Sequence, residues 1–371
     1  MKKIFLVFMF LLIVNLLWAE YFSFGFSTPY NQAIYTHEVN LFHSFEDAMK
    51  ANPENVIALK ANASSKNILE IKNFQNLRFL VLDEGFTANS FYLNDRSLNS
   101  FFEICNQLPH LEYLAINDAK LIPYIKEPEK LKGLKISKFD RNSFETMIPK
   151  FKSLEILIID DQRITVLSPF VGGITSLRQI ELYTESVPVL PELNSLPELL
   201  VVRINTGKIK NLPKTFAELK SVRYFNLTGL VDFKAFPSEI FGMESLEELR
   251  IELRNADKIS DEISKLTHLK SLHLIDCNKL KKIPQSMESL SKFENLSISG
   301  SYYRIDATPL LKLKNDFSIT LIRCNNYAHF AEQLQNAQNL KEFIVPANIL
   351  PAHLKKIEQF IPQNKIKKIN L

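Results

Sequence analysis

The chain has 371 residues, of which 46% are hydrophobic and 23% charged, and its formal net charge is +4. This composition is that of a folded chain with a large core, and it excludes both intrinsic disorder and a strongly basic nucleic-acid-binding protein. With nine glycines and three cysteines, glycine-rich phosphate loops and a disulfide framework are also disfavoured.

Residues 1–19 have the layout of a secretory signal peptide. Lys2 and Lys3 precede an apolar run from Ile4 to Leu17, and Ala19 offers a small residue for cleavage. This order of charge, apolar run and small residue is typical of signal peptides. We therefore expect export, to the periplasm, the cell surface or the medium.

The same segment permits an alternative. The apolar run is shorter than the roughly 20 residues that a membrane-spanning helix needs. Tyr21, Phe22, Phe24 and Phe26 follow it, and aromatic side chains favour the membrane interface. An uncleaved segment over residues 4–26 would make the protein a membrane-tethered structural or scaffold protein.

Residues 20–55 form an N-terminal segment in which we expect a capping helix. The stretch from Ser44 to Asn52 reads SFEDAMKAN. Serine is a favoured N-cap residue, and Glu46 and Asp47 would lie in the first turn, where acidic residues are stabilising. Such a helix would cover the exposed end of the repeats that follow.

Residues 56–371 contain a short apolar pattern that recurs about every 23 residues. It consists of three apolar residues, as in Leu154, Leu157 and Ile159. About fourteen degenerate copies can be traced, and they begin at Val56, Leu77, Leu111, Leu131, Leu154, Leu177, Leu199, Val222, Leu246, Leu269, Phe293, Asp316, Leu340 and Ile366. The longer interval after Leu77 predicts an insertion, about Phe86 to Gln107, that contains a helix.

Three apolar residues cannot be buried within one short strand, so the copies must stack to share a core. A parallel sheet would then form on one side and helical or irregular turns on the other. A proline recurs behind the strands and is expected to begin the returning turn, where its missing N–H is no loss. These prolines are Pro169, Pro191, Pro213, Pro237 and Pro284.

These residues resemble the leucine-rich repeat family, in its bacterial form of about 23 residues. The best match is HLKSLHLIDCNKLKKIP, His268 to Pro284, in which Cys277 occupies the family's Asn/Cys column. Most other copies lack Asn or Cys there, which predicts an irregular solenoid. The resemblance implies an α/β fold, a right-handed horseshoe with the parallel sheet on its concave face and short helices or turns on its convex face. It also implies a non-catalytic, protein-binding function.

Side chains alternate along a strand, so the residues between the apolar ones point outward, onto the expected concave face. The central outward column holds Lys60, Val81, Ala115, Lys135, Ile158, Glu181, Arg203, Asn226, Arg250, His273, Ser297, Thr320, Ile344 and Asn370. Its middle is rich in tyrosine and arginine, which often anchor interfaces. The candidate partner-binding residues are Glu181, Tyr183, Arg203, Tyr224, Asn226, Arg250, Glu252 and His273.

Catalytic and metal-binding motifs are not found in the sequence. No G-x-S-x-G, H-E-x-x-H or Walker pattern occurs, and the seven histidines lack metal-ligand spacing. Cys277 and Cys324 lie two repeats apart, too far for a disulfide, and with Cys105 they are expected to be buried thiols. We therefore expect no enzyme, no metal and no cofactor.

The expected partner is another protein, such as a cell-surface macromolecule, and not a nucleic acid. Contact with a membrane is expected only if the N-terminal segment is retained. A monomer is expected, because Lys365, Lys367 and Lys368 would discourage pairing at the last strand.

Overall fold

The structure is a computed structural model that describes residues 41–83, 85–86, 94–165, 169–229 and 233–370. The predicted signal peptide or anchor, and the N-terminal segment before residue 41, lie outside the described residues. The described chain forms two compact units. Residues up to 184 together with residues 195–199 make up the N-terminal unit, and residues 185–194 and 200–370 make up the C-terminal unit.

Parallel strands form the sheet of each unit, one from each of the fourteen predicted repeats and one more, Leu41–Phe42, that precedes the first repeat. Those of the N-terminal unit are β1 (Leu41–Phe42), β2 (Ala58–Ala61), β3 (Phe79–Leu82), β4 (Tyr113–Ile116), β5 (Gly133–Ile136), β6 (Ile156–Asp160) and β7 (Gln179–Tyr183). Those of the C-terminal unit are β8 (Val201–Asn205), β9 (Tyr224–Thr228), β10 (Glu248–Glu252), β11 (Ser271–Ile275), β12 (Asn295–Ser299), β13 (Phe317–Ile322), β14 (Leu340–Pro346) and β15 (Ile366–Ile369). Within each unit every strand pairs with the next one along the chain.

Short helices return the chain from one strand to the next. The α-helices are α1 (Phe45–Ala48), α2 (Asp95–Gln107), α3 (Arg141–Met147), α4 (Tyr327–Leu334) and α5 (Pro351–Ile357). The 3-10 helices are Pro53–Asn55, Ile68–Asn73, Ala119–Tyr124, Pro128–Lys130, Ile148–Lys150, Pro169–Gly173, Lys214–Glu218, Ser238–Gly242, Asp261–Lys265, Gln285–Ser289, Thr308–Lys312 and Gln363–Lys365. Helix α2 lies in the predicted insertion, and α1 forms where a helix was predicted, directly after Ser44, whose side chain accepts a hydrogen bond from the Asp47 N–H.

The predicted repeat pattern fixes the core of both units. In the N-terminal unit Leu80, Leu114 and Leu157 occupy equivalent strand positions and are buried. In the C-terminal unit Leu249 pairs in register with Leu272 and is also fully buried. Alternate apolar residues of the strands, such as Leu249 and Ile251 on β10, thus build the core of each unit between its sheet and its returning helices.

The predicted proline column begins the returning turns. Pro213, Pro237 and Pro284 each stand directly before a 3-10 helix. In the repeats that lack the family's Asn or Cys, aspartates supply part of the missing bonding to the backbone. The Asp83 carboxylate accepts from the Ala63 N–H at 3.2 Å, and the Asp161 carboxylate accepts from the Phe139 N–H at 2.9 Å.

Four strands of the C-terminal unit, β9, β11, β12 and β13, are followed directly by a left-handed residue. Asp276 and Gly300 directly follow β11 and β12 and have φ angles of 49° and 70°. A Cβ on Gly300 would lie 2.3 Å from the Asp276 carboxylate. Glycine at this exit therefore allows both the left-handed turn and the close stacking of adjacent repeats.

The predicted register is wrong in the last repeat. Ile366 was expected to begin a copy, which would place Asn370 in the outward column. Instead Ile366 pairs with Phe343, and Lys367 stands beside Ile344. The cause is the 3-10 helix Gln363–Lys365, which runs directly into β15 without the residues that lead into the other strands.

The three cysteines are buried and carry free thiols, as expected. Burial raises the pKa of Cys105, and it raises the pKa of Cys277 to about 12 and that of Cys324 to about 11. Among the described residues, none of the helices combines the length and apolar character needed to cross a bilayer.

Candidate functional site

The outward face of each sheet is the face opposite the leucine core, and the repeat pattern predicts that this face is concave. On the C-terminal unit, neighbouring central positions of this face are occupied in register by Arg203, Asn226, Arg250 and His273. Tyr224 and Glu248 pair with each other one outward position earlier on β9 and β10. We call these six residues, Arg203, Tyr224, Asn226, Glu248, Arg250 and His273, the polar cluster.

Two of the predicted site residues, Glu181 and Tyr183, lie on β7 of the N-terminal unit. The Tyr183 hydroxyl donates a hydrogen bond to Glu181 Oε2 at 2.7 Å. The side-chain amide of Gln179 donates to Glu181 Oε1 at 2.5 Å. With 5% of its surface exposed, Glu181 is a buried carboxylate with donors from its own strand. Both residues face outward as predicted, but their polar atoms already bond one another.

Arginines flank Asn226 on both sides. Arg203 stands beside it on β8 and Arg250 beside it on β10. Arg250 is exposed, whereas Arg203 is only 9% exposed. Asn226 Oδ1 is buried and accepts no hydrogen bond. A buried carbonyl oxygen that accepts no hydrogen bond lowers the stability of the folded protein. This position therefore favours a ligand that supplies a hydrogen-bond donor.

Glu248 and His273 complete the centre of the cluster. His273 Nε2 lies 3.7 Å from Glu248 Oε1. Burial and the nearby charge of Arg250 lower the pKa of His273 to about 4. Burial raises the pKa of the Glu248 carboxyl, although Arg203 and Arg250 oppose this shift. The imidazole is therefore neutral at pH 7, and the carboxylate is poorly solvated.

Tyr224 places an aromatic ring beside these charges. Burial, together with the negative charges of Glu247 and Glu248, raises the pKa of its hydroxyl. The phenol therefore stays protonated at neutral pH and can donate or accept a hydrogen bond. Its ring adds apolar contact area to a face that is otherwise polar.

Glu252 has a structural role that the sequence did not predict. It is 5% exposed, and its Oε2 atom accepts a hydrogen bond from the Gly229 N–H at 2.7 Å. Its other oxygen is in ion-pair contact with Arg254. One carboxylate oxygen thus binds the backbone just after β9, and the other contacts a side chain just after β10. We therefore leave Glu252 out of the polar cluster.

Glu248 was not among the predicted site residues, because most of these were taken from the central outward column. Glu248 lies two residues before Arg250, which by strand alternation is the same face. A second outward column, through Tyr224, Glu248 and Ser271, could have been followed in the same way.

The polar cluster has groups that can bind a polar ligand, but it lacks the ligating side chains of a metal centre. It offers two guanidinium groups, one unpaired amide oxygen and one phenol on adjacent strands. Guanidinium groups bind carboxylates through strong, charge-assisted hydrogen bonds. Within the described part of the chain, no group of three or more His, Cys, Asp or Glu side chains could hold a metal ion.

Comparison with known proteins identifies the fold. No family model matches the chain. A solved leucine-rich repeat protein of Leptospira interrogans is 16% identical, with a TM-score of 0.50, and the match covers 88% of this chain and 99% of that protein. Internalin C2 of Listeria monocytogenes is 20% identical, with a TM-score of 0.37, over 47% of this chain and 74% of that protein.

In sequence, the chain is 26% identical over 144 residues to a candidate disease resistance protein of Arabidopsis thaliana. This match covers 35% of the chain and spans only 15% of that relative's length. The structural likeness to the Leptospira protein shows that the fold is a leucine-rich repeat solenoid, which confirms the fold class predicted from the spacing of the leucines.

Proposed function

We propose that this chain is an exported, non-catalytic leucine-rich repeat protein that binds another protein through the outward face of its C-terminal unit. The observation that carries the proposal is the buried Asn226 Oδ1, which lacks a donor and lies between Arg203 and Arg250. A peptide segment that supplies an N–H group to Asn226 and a carboxylate to the arginines would match all three groups.

The charges of the cluster favour such a partner. Arg203 and Arg250 both interact electrostatically with the carboxylate of Glu248, and the neutral His273 adds no charge. A carboxylate of the partner would bind the exposed Arg250 through charge-assisted hydrogen bonds. Tyr224 supplies the kind of aromatic anchor that contributes strongly to protein interfaces.

A photo-crosslinking amino acid tests this assignment. Ser297 neighbours His273 in register on β12, so a crosslinker at position 297 lies beside the polar cluster. A crosslinker at Lys265, in the 3-10 helix Asp261–Lys265 on the returning side, serves as the matched control. We expect capture of a protein from position 297 and little from position 265. Equal capture from both positions, or capture of nucleic acid from position 297, would contradict the proposal.

The proposed export rests on residues 1–19, and the alternative is the membrane-tethered scaffold held by residues 4–26. Sequencing the amino terminus of the protein isolated from cells separates them. A start near Glu20 in a soluble fraction supports export of a cleaved chain. An intact Met1 in a membrane fraction supports the tethered form.

A further inference from the structure

Two adjoining cavities lie in the C-terminal unit, where the chain leaves β12, β13 and β14. The first has a volume of about 240 Å³ and the second a volume of about 350 Å³. Tyr327 and His353 line both, so the two are lobes of one depression, which we call the double cavity. Tyr327 begins α4 and His353 lies in α5, and their ring centroids are 5.8 Å apart. Helices α4 and α5 therefore form its shared wall.

The first lobe carries an excess of positive charge. Its lining includes Arg304 and Lys356, and Glu332 is the one carboxylate among its lining residues. Arg304 and Lys356 are exposed. Within the part of the chain that the structure describes, neither side chain forms an ion pair or a hydrogen bond. Both cations are therefore available to a ligand.

His329 adds no full charge to this lobe. Its Nε2 atom lies 2.7 Å from the side-chain nitrogen of Gln333. Burial and the charge of Arg304 lower the pKa of His329, although the carboxylates of Glu332 and Asp306 oppose this shift. The imidazole is therefore mainly neutral at pH 7, and the positive charge that a ligand meets in the first lobe comes from Arg304 and Lys356.

The second lobe is mainly apolar. Pro346, Ile349 and Leu350 line it together with Arg323. Leu350 is 62% exposed, which is unusual for a leucine unless it contacts a ligand or a partner. The volume of this lobe lies within the range of about 300 to 1,000 Å³ that is typical of small-molecule sites.

The arginine of the second lobe is not required by the turn that carries it. Arg323 has a φ angle of 52°, in the left-handed region that glycine adopts without cost. It occupies the position of Gly300 in the preceding repeat, because Ser299 and Ile322 pair in register. Glycine would serve this turn better than arginine does, so the side chain of Arg323 is free for another role at the cavity.

The chemistry of the two lobes indicates one class of ligand. A phosphate monoester carries about −1.5 to −2 charges at pH 7 and three acceptor oxygens, which suits two cations on one lobe. Arginine and lysine both bind phosphate groups. An apolar ring attached to the phosphate would lie in the second lobe, beside the rings of Tyr327 and His353. A carboxylate has less charge and fewer oxygens to offer the same cations.

We propose that the double cavity binds a small aryl phosphate monoester, with the phosphate group between Arg304 and Lys356 and the ring against Ile349 and Leu350. The proposal goes beyond the proposed function, because it concerns the turns after β12, β13 and β14 and not the outward face of the sheet. Its failure would leave the polar cluster and its protein partner untouched.

Phenyl phosphate is the probe that tests the assignment, and calorimetry on the full-length chain measures its binding. We expect one site per chain with a dissociation constant below about 1 mM. Combining Arg304→Gln with Lys356→Gln should weaken binding by about 10-fold or more, because two charge-assisted bonds are lost. Lys292→Gln with Lys314→Gln is the matched control. These exposed lysines precede β12 and β13, and their loss should leave the constant within about twofold of the parent value.

Two further ligands separate the contributions of the lobes. Inorganic phosphate lacks the ring, and benzoate carries the ring on a singly charged carboxylate. Both should bind the parent at least about fivefold more weakly than phenyl phosphate. Leu350→Ala should weaken the binding of phenyl phosphate but not that of inorganic phosphate. If the double variant differs from the parent in circular dichroism, the single variant Arg304→Gln decides in its place.

Four outcomes would overturn the proposal. The first is no binding of phenyl phosphate to the folded parent at about 10 mM. The second is equal weakening in the double variant and its control, since the attraction would then be nonspecific. The third is benzoate or inorganic phosphate binding as tightly as phenyl phosphate. The fourth is a short phosphotyrosine peptide that binds more than about 10-fold tighter than phenyl phosphate, because the ligand would then be a phosphorylated protein and not a small molecule.

Discussion

Glu248 and His273 lie on adjacent strands with 3.7 Å between Oε1 and Nε2, yet they do not form an ion pair at neutral pH. Burial and Arg250 lower the pKa of His273 to about 4, so the imidazole is uncharged. Burial raises the pKa of Glu248, so the charged form of this carboxylate lowers the stability of the folded protein. The polar cluster is therefore built from groups whose charged forms the folded protein disfavours, as is common at functional sites.

The variant Glu248→Gln is expected to be more stable than the parent at pH 7. The pKa of Glu248 is raised on folding, so its contribution to stability is present below the unfolded pKa and lost as the pH rises through the folded value. Glutamine at position 248 cannot ionise, so the variant does not lose this stability at pH 7. The gain in the free energy of unfolding, measured with urea, should shrink as the pH is lowered toward 4.

The matched control for this variant is Glu294→Gln, at an exposed carboxylate just before β12. Its free energy of unfolding should stay within about 0.5 kcal/mol of the parent value. If Glu248→Gln were less stable than the parent at pH 7, the attraction of the arginines would outweigh the burial, and our account of this carboxylate would be wrong.

Acid should destabilise the parent more than the variant His273→Gln. The pKa of His273 is lowered on folding, so the unfolded chain takes up a proton between about pH 6.5 and pH 4 while the folded chain does not. The stability contributed by the neutral imidazole is present above that window and lost as the pH falls through it. Urea unfolding at pH 7 and pH 4 should show about 1 to 3 kcal/mol less acid destabilisation in the variant. His110→Gln, at an exposed histidine, should lose stability in acid as the parent does, and equal losses in all three proteins would refute the prediction.

Gly242→Ala should be strongly destabilising. A Cβ at position 242 would lie 2.3 Å from the carbonyl oxygen of Ala217 in the preceding repeat, and backbone cannot yield as a flexible side chain can. Overpacking of this kind costs typically about 1 to 3 kcal/mol, measured as the free energy of unfolding. Gly173→Ala is the control, because a Cβ there meets nothing within 4 Å. Equal stabilities of the two variants would show that the repeats are not stacked this closely.

The three cysteines should be unreactive in the folded protein. The thiolate is the reactive form, and burial raises the pKa of Cys277 to about 12 and that of Cys324 to about 11. Titration with a thiol reagent at pH 8 should therefore detect almost no thiols in the native chain and all three in denaturant. Detection of only one thiol in denaturant would mean that a disulfide links the other two.

The strands and core were predictable because the leucine spacing is a local property that every repeat shares. A residue such as Leu249 needs only its neighbours three and two positions away to be assigned to the core. The register failed at Ile366 because a shortened turn left the apolar pattern intact while moving it by three positions relative to β14. Pattern alone does not show how many residues lead into a strand.

The outward face of the C-terminal unit was predictable in its register but not in the contacts of its side chains. Strand alternation correctly placed Arg203, Asn226 and Arg250 side by side. It could not show that Arg203 is nearly buried or that Glu252 accepts a hydrogen bond from the Gly229 N–H. Both features depend on contacts between repeats.

The burial of Phe79 and Tyr113 on the outward face was not predictable either. The repeat pattern assigns outward positions to a partner or to solvent. It does not reveal that Phe79 and Tyr113 pack with Ile156 and Ile158 in a buried apolar cluster.

The most direct test of the account is the dissociation constant of the protein captured at position 297, measured by calorimetry. Arg250→Glu should weaken binding by about 10-fold or more, because the partner's carboxylate would meet a negative charge. Arg304→Glu makes the same charge change at an exposed position outside the strands and should leave the constant within about twofold of the parent value. Unchanged affinity in a correctly folded Arg250→Glu variant would place the binding surface elsewhere and contradict the account.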